Sequence, residues 1–473
     1  MNKDTEKIGV GQLAFTFGFN PKDEVQETQD NGPCASPTPS NVRSKPQQKH
    51  KWNSLIDKVY LLSNLEAAWE RVRENGGAAG VDGVRLKDFS HNLQERLAQL
   101  QTDLRHKTYR PQPVRRVYIP KSGGGKRGLG IPNIRDRIVQ QALLQVLSPI
   151  FEAKFSARSH GFRPGRGCET ALVVVEQAVR AGYSWVVDAD IRSFFDTVPH
   201  EGLLEAVNEE VADGSVLRLL RQILTAGVVE PGASETDPTE LGTPQGGPLS
   251  PLLANIYLHR LDLRMVEAGY GLVRYADDFV IFTKSESAAR EALSLAQQVL
   301  EGELGLALHP EKTRVVSVDA GFELLGFHYF RDPKTGMRCK EVRRKSVLGF
   351  RQSIRDRTPR LKAQKRVKRR ALSLSRLARN PQVRERIRRV NVFLRGWHGY
   401  FKSMRSRYGA DAWNSFDAYV RGRLRACITG RVGRGWWDVA VPNVVFHKLG
   451  LVSLVNLDAA YTSGFGATPA RKG

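Results

Sequence analysis

From Leu272 to Phe282 the chain reads Leu-Val-Arg-Tyr-Ala-Asp-Asp-Phe-Val-Ile-Phe, two short apolar runs meeting at a pair of aspartates. Runs this rich in Val, Ile, Tyr and Phe form strands. With so little between them they fold back as a tight hairpin carrying both carboxylates at its tip. A second apolar run, Trp185-Val-Val-Asp-Ala-Asp-Ile191, also carries aspartates. An isolated Asp-Asp pair between strands is a polar turn, but this pair is not isolated. Carboxylates grouped at strand ends repel one another and lose hydration unless a cation neutralises them. Hard oxygen donors in such a group suit Mg²⁺, which keeps several waters and takes phosphates into its open positions.

Charge divides the chain. The formal surplus is +24, and the stretch from Arg338 to Arg434 alone holds 30 basic and 5 acidic residues, leaving 43 basic and 44 acidic elsewhere. A near-neutral body joined to a strongly basic third predicts a polyanionic partner, most simply nucleic acid. No apolar run approaches the ~18–20 residues that cross a bilayer, so no membrane partner is expected. The first residues mix Lys3, Asp4, Glu6 and Lys7 without an apolar core, so no secretory signal is expected. Cys34, Cys168, Cys339 and Cys427 lie far apart with no CxxC pair, pointing to a reducing, cytoplasmic setting.

At roughly 100–200 residues per domain the chain makes about two to four domains. Residues 1–50 are poor in apolar side chains and rich in Pro, Ser, Asn and Gln, the composition of a disordered tail. Leu55, Val59, Leu62, Leu65 and Trp69 then recur at helical spacing, and a second helix is expected over Asp88–Leu104. A strand, a Gly-rich turn and another strand follow between Tyr118 and Ile131, then an apolar helix through Ile138–Phe151. Beyond Arg338 the chain reads as helical, with Val383, Ile387, Val390, Leu394, Trp397 and Phe401 making one apolar stripe among arginines.

Taken together these segments resemble the group II intron-encoded reverse transcriptases. Tyr275-Ala-Asp-Asp278 resembles the YxDD signature, Asp190-Ile-Arg-Ser-Phe-Phe-Asp196 the aspartate motif of the first palm strand, and Gly242-Thr-Pro-Gln-Gly-Gly-Pro-Leu-Ser-Pro-Leu-Leu-Ala-Asn255 the nucleotide-pocket motif. Ile119-Pro-Lys121, Gly130-Ile-Pro and Asp136-Arg-Ile-Val-Gln140 resemble the fingers block; His309-Pro-Glu-Lys-Thr313 and Leu324-Leu-Gly-Phe327 resemble the late palm motifs. Gly80-Val-Asp-Gly83 resembles the family's extra N-terminal block, and Trp397-His-Gly-Tyr-Phe401 sits where the helices of its thumb, the maturase domain, should be. The resemblance covers about residues 52–430.

It implies an α+β, right-hand polymerase fold: fingers and a palm with an antiparallel sheet, then an all-α basic thumb. The implied bounds are a tail at 1–50, N-terminal extension and fingers at 51–184, palm at 185–337, thumb at 338–434 and a short C-terminal segment, a reduced DNA-binding region, at 435–473. The implied activity is RNA-directed DNA synthesis from a DNA primer using dNTPs and two Mg²⁺ ions, with Mn²⁺ able to substitute. Asp190 and Asp277 would hold the metals, with Asp278 in support and the Ile191 carbonyl as a further ligand. Phe195 occupies the steric-gate position, which would exclude a 2′-hydroxyl. Gln245 and its glycines would line the nucleotide pocket, Lys121 and Arg127 would clamp the triphosphate, and Lys312 would either protonate the pyrophosphate as general acid or close the triphosphate pocket as a cation. The family usually reads Arg-Pro-Leu-Gly where this chain has Arg127-Gly-Leu-Gly130, which loosens the turn and leaves the placement of Arg127 open.

Leu325, Gly326 and Phe327 match the primer grip, although an apolar strand-turn in the core has the same letters. Arg343, Arg344, Lys345, Lys365, Arg366, Lys368, Arg369, Arg370, Arg388 and Arg395 are candidates for holding template, primer and group II intron RNA. The resemblance implies a bacterial, cytoplasmic location, associated with the nucleoid when acting on DNA. After Arg434 the chain has only His447 and no Cys, so the HNH route to second-strand cleavage is not expected. Two rival readings remain open at this point: a non-enzymatic RNA-binding splicing factor on a polymerase fold, and a domesticated enzyme of DNA repair or phage defence.

Overall fold

The computed structural model describes residues 51–120, 125–233, 240–243, 246–361, 374–429 and 441–465. The expected tail lies outside them, as do Lys121, Gln245, Lys365, Arg366, Lys368, Arg369 and Arg370. Cys168, Cys339 and Cys427 are free thiols. The apolar periodicity from Leu55 to Trp69 does not form one helix. It breaks at Leu61, whose ψ of 130° is extended, into Ile56–Val59 and Leu62–Asn75. Asn64 bridges the break, donating to the carbonyls of Val59 (3.0 Å) and Ala142 (3.2 Å). The second expected helix is likewise two, Leu86–Ser90 and Leu93–Arg105. Leu65, Ala68, Trp69 and Val72 pack into one core with the helix Ile134–Glu152.

Among the described residues the strands make three sheets. β1 (Val114–Pro120) and β2 (Lys126–Ile131) form the antiparallel fingers hairpin. β3 (Trp185–Asp190) belongs to the palm, and β4 (Val228–Val229) adds to β1 in parallel. β5 (Gly271–Tyr275) and β6 (Asp278–Thr283) are the expected Asp-Asp hairpin. With β7 (Arg314–Ser317) they complete an antiparallel palm sheet of order β5-β6-β3-β7. β8 (Phe322–Leu324), β9 (Phe327–Arg331) and β10 (Arg338–Val342) form a separate antiparallel sheet.

Side chains alternate across the palm sheet. Val187, Ala189, Leu272, Phe279 and Ile281 enter the core shared with helices Ser250–Glu267 and Glu286–Gln297. Val186, Val273, Val280 and Phe282 enter the core shared with β8, β9 and the thumb. Both faces are covered, which is why apolar residues occupy consecutive positions in these strands, as in Val186-Val187 and Phe279–Phe282. By the same alternation Asp188 and Asp190 share the second face, and the register sets Asp190 opposite Asp278.

The helical thumb begins at Arg344 rather than Arg338. Arg338–Val342 pairs with β9 as β10, and Lys340 is buried there against Glu176. Arg344–Arg357, Leu374–Arg379, Pro381–Phe401 and Asp411–Thr429 follow as helices. Val383, Ile387, Val390, Leu394 and Phe401 are buried along one stripe, with His398 buried beside them. Trp397 is only half-buried, its ring 4.9 Å from Phe350 and 4.3 Å from Phe401. Val441, Phe446 and Leu454, beyond the expected thumb boundary, are buried in this same core.

Candidate active site

β3 ends at Asp190, β6 starts at Asp278, and Ala276 and Asp277 make the turn between β5 and β6. Ala276 has φ +58°, the left-handed conformation such a two-residue turn requires. The segment after Leu306 runs beside the end of β3. Arg192 N–H donates to Ala307 O (2.8 Å), Ile191 bridges Leu308, and His309 N–H donates to Asp190 O (2.8 Å). A turn closed by Lys312 N–H on His309 O then brings the Lys312 ammonium onto the Asp190 carboxylate.

The carboxylates act on one another. Burial raises Asp277 above the usual carboxylate range and the charge of Asp190 adds to it, while Arg127 and Lys312 pull the other way. Asp278 is pushed up to about 7, by burial first and then by Asp190, Asp277 and Asp188, with Arg343 opposing. These acids are held together at an electrostatic cost that added positive charge would relieve. No motif in the sequence singles out Asp188. It lies two residues before Asp190, so alternation alone puts it on the same face. Its partner is Arg314 of β7, at 2.9 Å.

Arg127 stands exposed on β2 opposite Ile119 and acts electrostatically on Asp277. Phe194 is the core member of its pair (2% exposed), and Phe195 is half-buried against it, ring centroids 5.2 Å apart. Gly242, Thr243 and Gly246 are each packed against a neighbouring element. Thr243 N–H donates to Phe195 O (2.7 Å), and His200 Nε2 bonds Gly242 O (2.7 Å). A Cβ on Gly246 would lie 2.5 Å from Gly130 O of β2. Gly246→Ala must push this loop off the fingers, so it is expected to cost about 1–3 kcal/mol of stability, seen as a lower thermal midpoint.

The turn at Leu325 (φ +47°) and Gly326 (φ +83°) joins β8 to β9 and is held by the thumb. Tyr400 Oη donates to Leu325 O (2.9 Å), and Arg343 N–H to Gly326 O (2.9 Å). Phe327, expected in the primer grip, is wholly buried (0% exposed) against Phe401, so its ring supports the turn from the core. Arg343 is half-buried, its charge acting on Asp278, while Arg344, Lys345, Arg388 and Arg395 are exposed. Arg388 is held at 2.8 Å by Glu385.

Residues 119–329 match the family model for reverse transcriptase (RNA-dependent DNA polymerase), and residues 364–439 match the group II intron, maturase-specific domain. Protein YkfC of Escherichia coli is 37% identical over 294 residues, which is 53% of this chain and 76% of YkfC. The group II intron-encoded protein LtrA of Lactococcus lactis is 40% identical over 198 residues, 41% of this chain and 32% of LtrA. The retron Mx65 reverse transcriptase of Myxococcus xanthus is 31% identical over 281 residues, covering 55% of this chain and 58% of that protein. With the two matched regions in this order, the chain belongs to the group II intron-encoded reverse transcriptases, RNA-directed DNA polymerases that carry a maturase-specific domain.

Proposed function

We propose that this chain extends a DNA primer along an RNA template with dNTPs, that Asp190, Asp277, Asp278 and the Ile191 carbonyl hold two Mg²⁺ ions, and that the thumb binds its own intron RNA to assist splicing. The carboxylate cluster carries the reading. A chain that only bound RNA would have no use for acids set against one another at facing strand ends, Asp190 opposite Asp278 and Asp277 in the adjoining turn. Among the described residues no three acid, imidazole or thiol side chains close into a ready metal cage. The carboxylates would supply part of each Mg²⁺ shell, with water and substrate phosphates completing it. Bound divalent ions would lower the pKa of the primer 3′-hydroxyl and neutralise charge on the leaving pyrophosphate.

The protein's own groups do the rest. Lys312 and Arg127 supply cations beside the carboxylates, where a triphosphate would arrive. Phe195, half-buried and with its carbonyl accepting from Thr243 N–H, would close the space under the sugar. The test is extension of a primer on an RNA template with Mg²⁺, dNTPs set against rNTPs. Deoxy-selective extension is expected, and Phe195→Ala should narrow that selectivity about ten- to hundredfold. Folded wild-type protein that binds structured RNA yet extends nothing would overturn the enzymatic reading and leave an RNA-binding splicing factor.

A further inference from the structure

No sequence motif assigns a role to Arg274, an arginine inside an apolar strand. Its guanidinium is wholly buried (0% exposed) and divides its donors among three partners. Nε and Nη2 fork onto Asp262 at 2.7 and 2.6 Å, and Nη1 donates to Asn255 Oδ1 and to the carbonyl of Ala276, each at 3.0 Å. Asp262 and Asn255 are themselves buried (0% and 1% exposed), two turns apart on the helix Ser250–Glu267. Asn255 Nδ2 donates onward to Gly161 O at 2.8 Å.

Gly161 is where a second loop meets the catalytic turn. A Cβ there would lie 2.4 Å from Ala276 N, closer than any side chain can come. The next residue, Phe162, has φ +58°, as does Ala276. Its ring centroid is 6.3 Å from that of Tyr275. Arg274 N–H donates to Arg158 O (3.0 Å) and His160 N–H to Arg274 O (2.9 Å), so the loop is laced along β5 up to the turn. Two residues with side chains, both in a left-handed conformation on segments packed together at Gly161, persist only where the surroundings over-determine them. Stability alone is a poor account of the ion pair, since a buried pair is commonly matched by apolar residues of similar size.

We propose that Arg274, held by Asp262 and Asn255, is a positioning residue: it fixes the carbonyl of Ala276 and the Gly161 loop, and so presents Asp277 beside Asp190. All three are buried, so they act through the turn rather than on substrate. The proposal rests on the polymerase reading for its consequence, not for its geometry.

The test replaces both ions at once, Arg274→Met with Asp262→Leu, which leaves no orphan charge in the core. The protein should stay folded, its thermal midpoint lowered only by the loss of the bonds to Asn255 Oδ1 and the Ala276 carbonyl, while kcat for extension falls about a hundredfold, the cost of a misplacement near 1 Å. KM for dNTP and RNA affinity should move less than about twofold, because the thumb and the triphosphate cations are untouched. Mn²⁺ affinity, read by electron paramagnetic resonance without substrate, should weaken about tenfold, as a carboxylate is lost from its place. A folded double variant with wild-type kcat and Mn²⁺ affinity overturns the proposal. If the pair does not fold, Asn255→Ala decides, since it spares the ion pair and loses only the links to Gly161 and Nη1. It should lower kcat with KM unchanged, and wild-type values overturn the proposal equally. If wild type itself extends nothing, the polymerase reading has failed, and Mn²⁺ affinity alone judges the clamp.

Discussion

Asp277→Ala lowers primer extension at least about a thousandfold while leaving the protein folded and its RNA affinity within about twofold of wild type. Asp277 sits at the hairpin tip, outside the strand ladder, so no backbone pairing depends on its side chain. It is also one of the acids raising Asp278, so its removal relieves repulsion in the cluster. The thermal midpoint should therefore hold or rise. That combination separates a catalytic carboxylate from a structural one, whose loss would lower both. Single-turnover extension beside a melting curve and an RNA titration makes the measurement. Activity within tenfold of wild type would remove Asp277 from the chemistry.

The hairpin and its aspartates were legible because strand alternation and apolar content act locally. Both faces of the palm sheet are covered, so Val186, Val187, Phe279 and Ile281 leave an apolar signature around the acids. What stayed hidden depends on partners distant in sequence. The periodicity through Leu62 gave no sign of the break at Leu61, because the spacing of buried residues continues on both sides of it. Lys340 looked like part of a basic helical run, yet it is a buried strand residue whose partner, Glu176, comes from a helix 164 positions earlier. Asp188 differs from a surface acid only through the β3–β7 register that brings Arg314 to it. Phe194 and Phe195 are identical letters, and only the packed core assigns one of them inward. Arg274 is the sharpest case, since its meaning lies in a helix face and a neighbouring loop that no local pattern joins to it.

Affinity for structured RNA should fall about 10³–10⁵-fold between 50 and 200 mM salt, the loss expected when six to ten phosphates are neutralised and their counterions released. The thumb has the exposed charge for this: Arg344, Lys345, Arg384, Arg388, Arg389 and Arg395 all face solvent, while the aromatic side chains Phe350 and Phe401 of the same helices are buried. Part of that charge is already engaged. Glu385 accepts from both Arg388 (2.8 Å) and Arg389 (2.7 Å), so a phosphate arriving there competes with an internal carboxylate. Glu385→Gln should free two guanidinium groups, tightening binding at low salt and steepening the plot of log affinity against log salt by about 1. Arg344→Gln with Lys345→Gln should flatten it by up to about 2, roughly 0.9 for each phosphate no longer neutralised. Filter binding of a folded intron RNA across a salt series checks all three slopes. A slope near zero for wild type would mean that the basic third is a solvated surface and that RNA is held elsewhere.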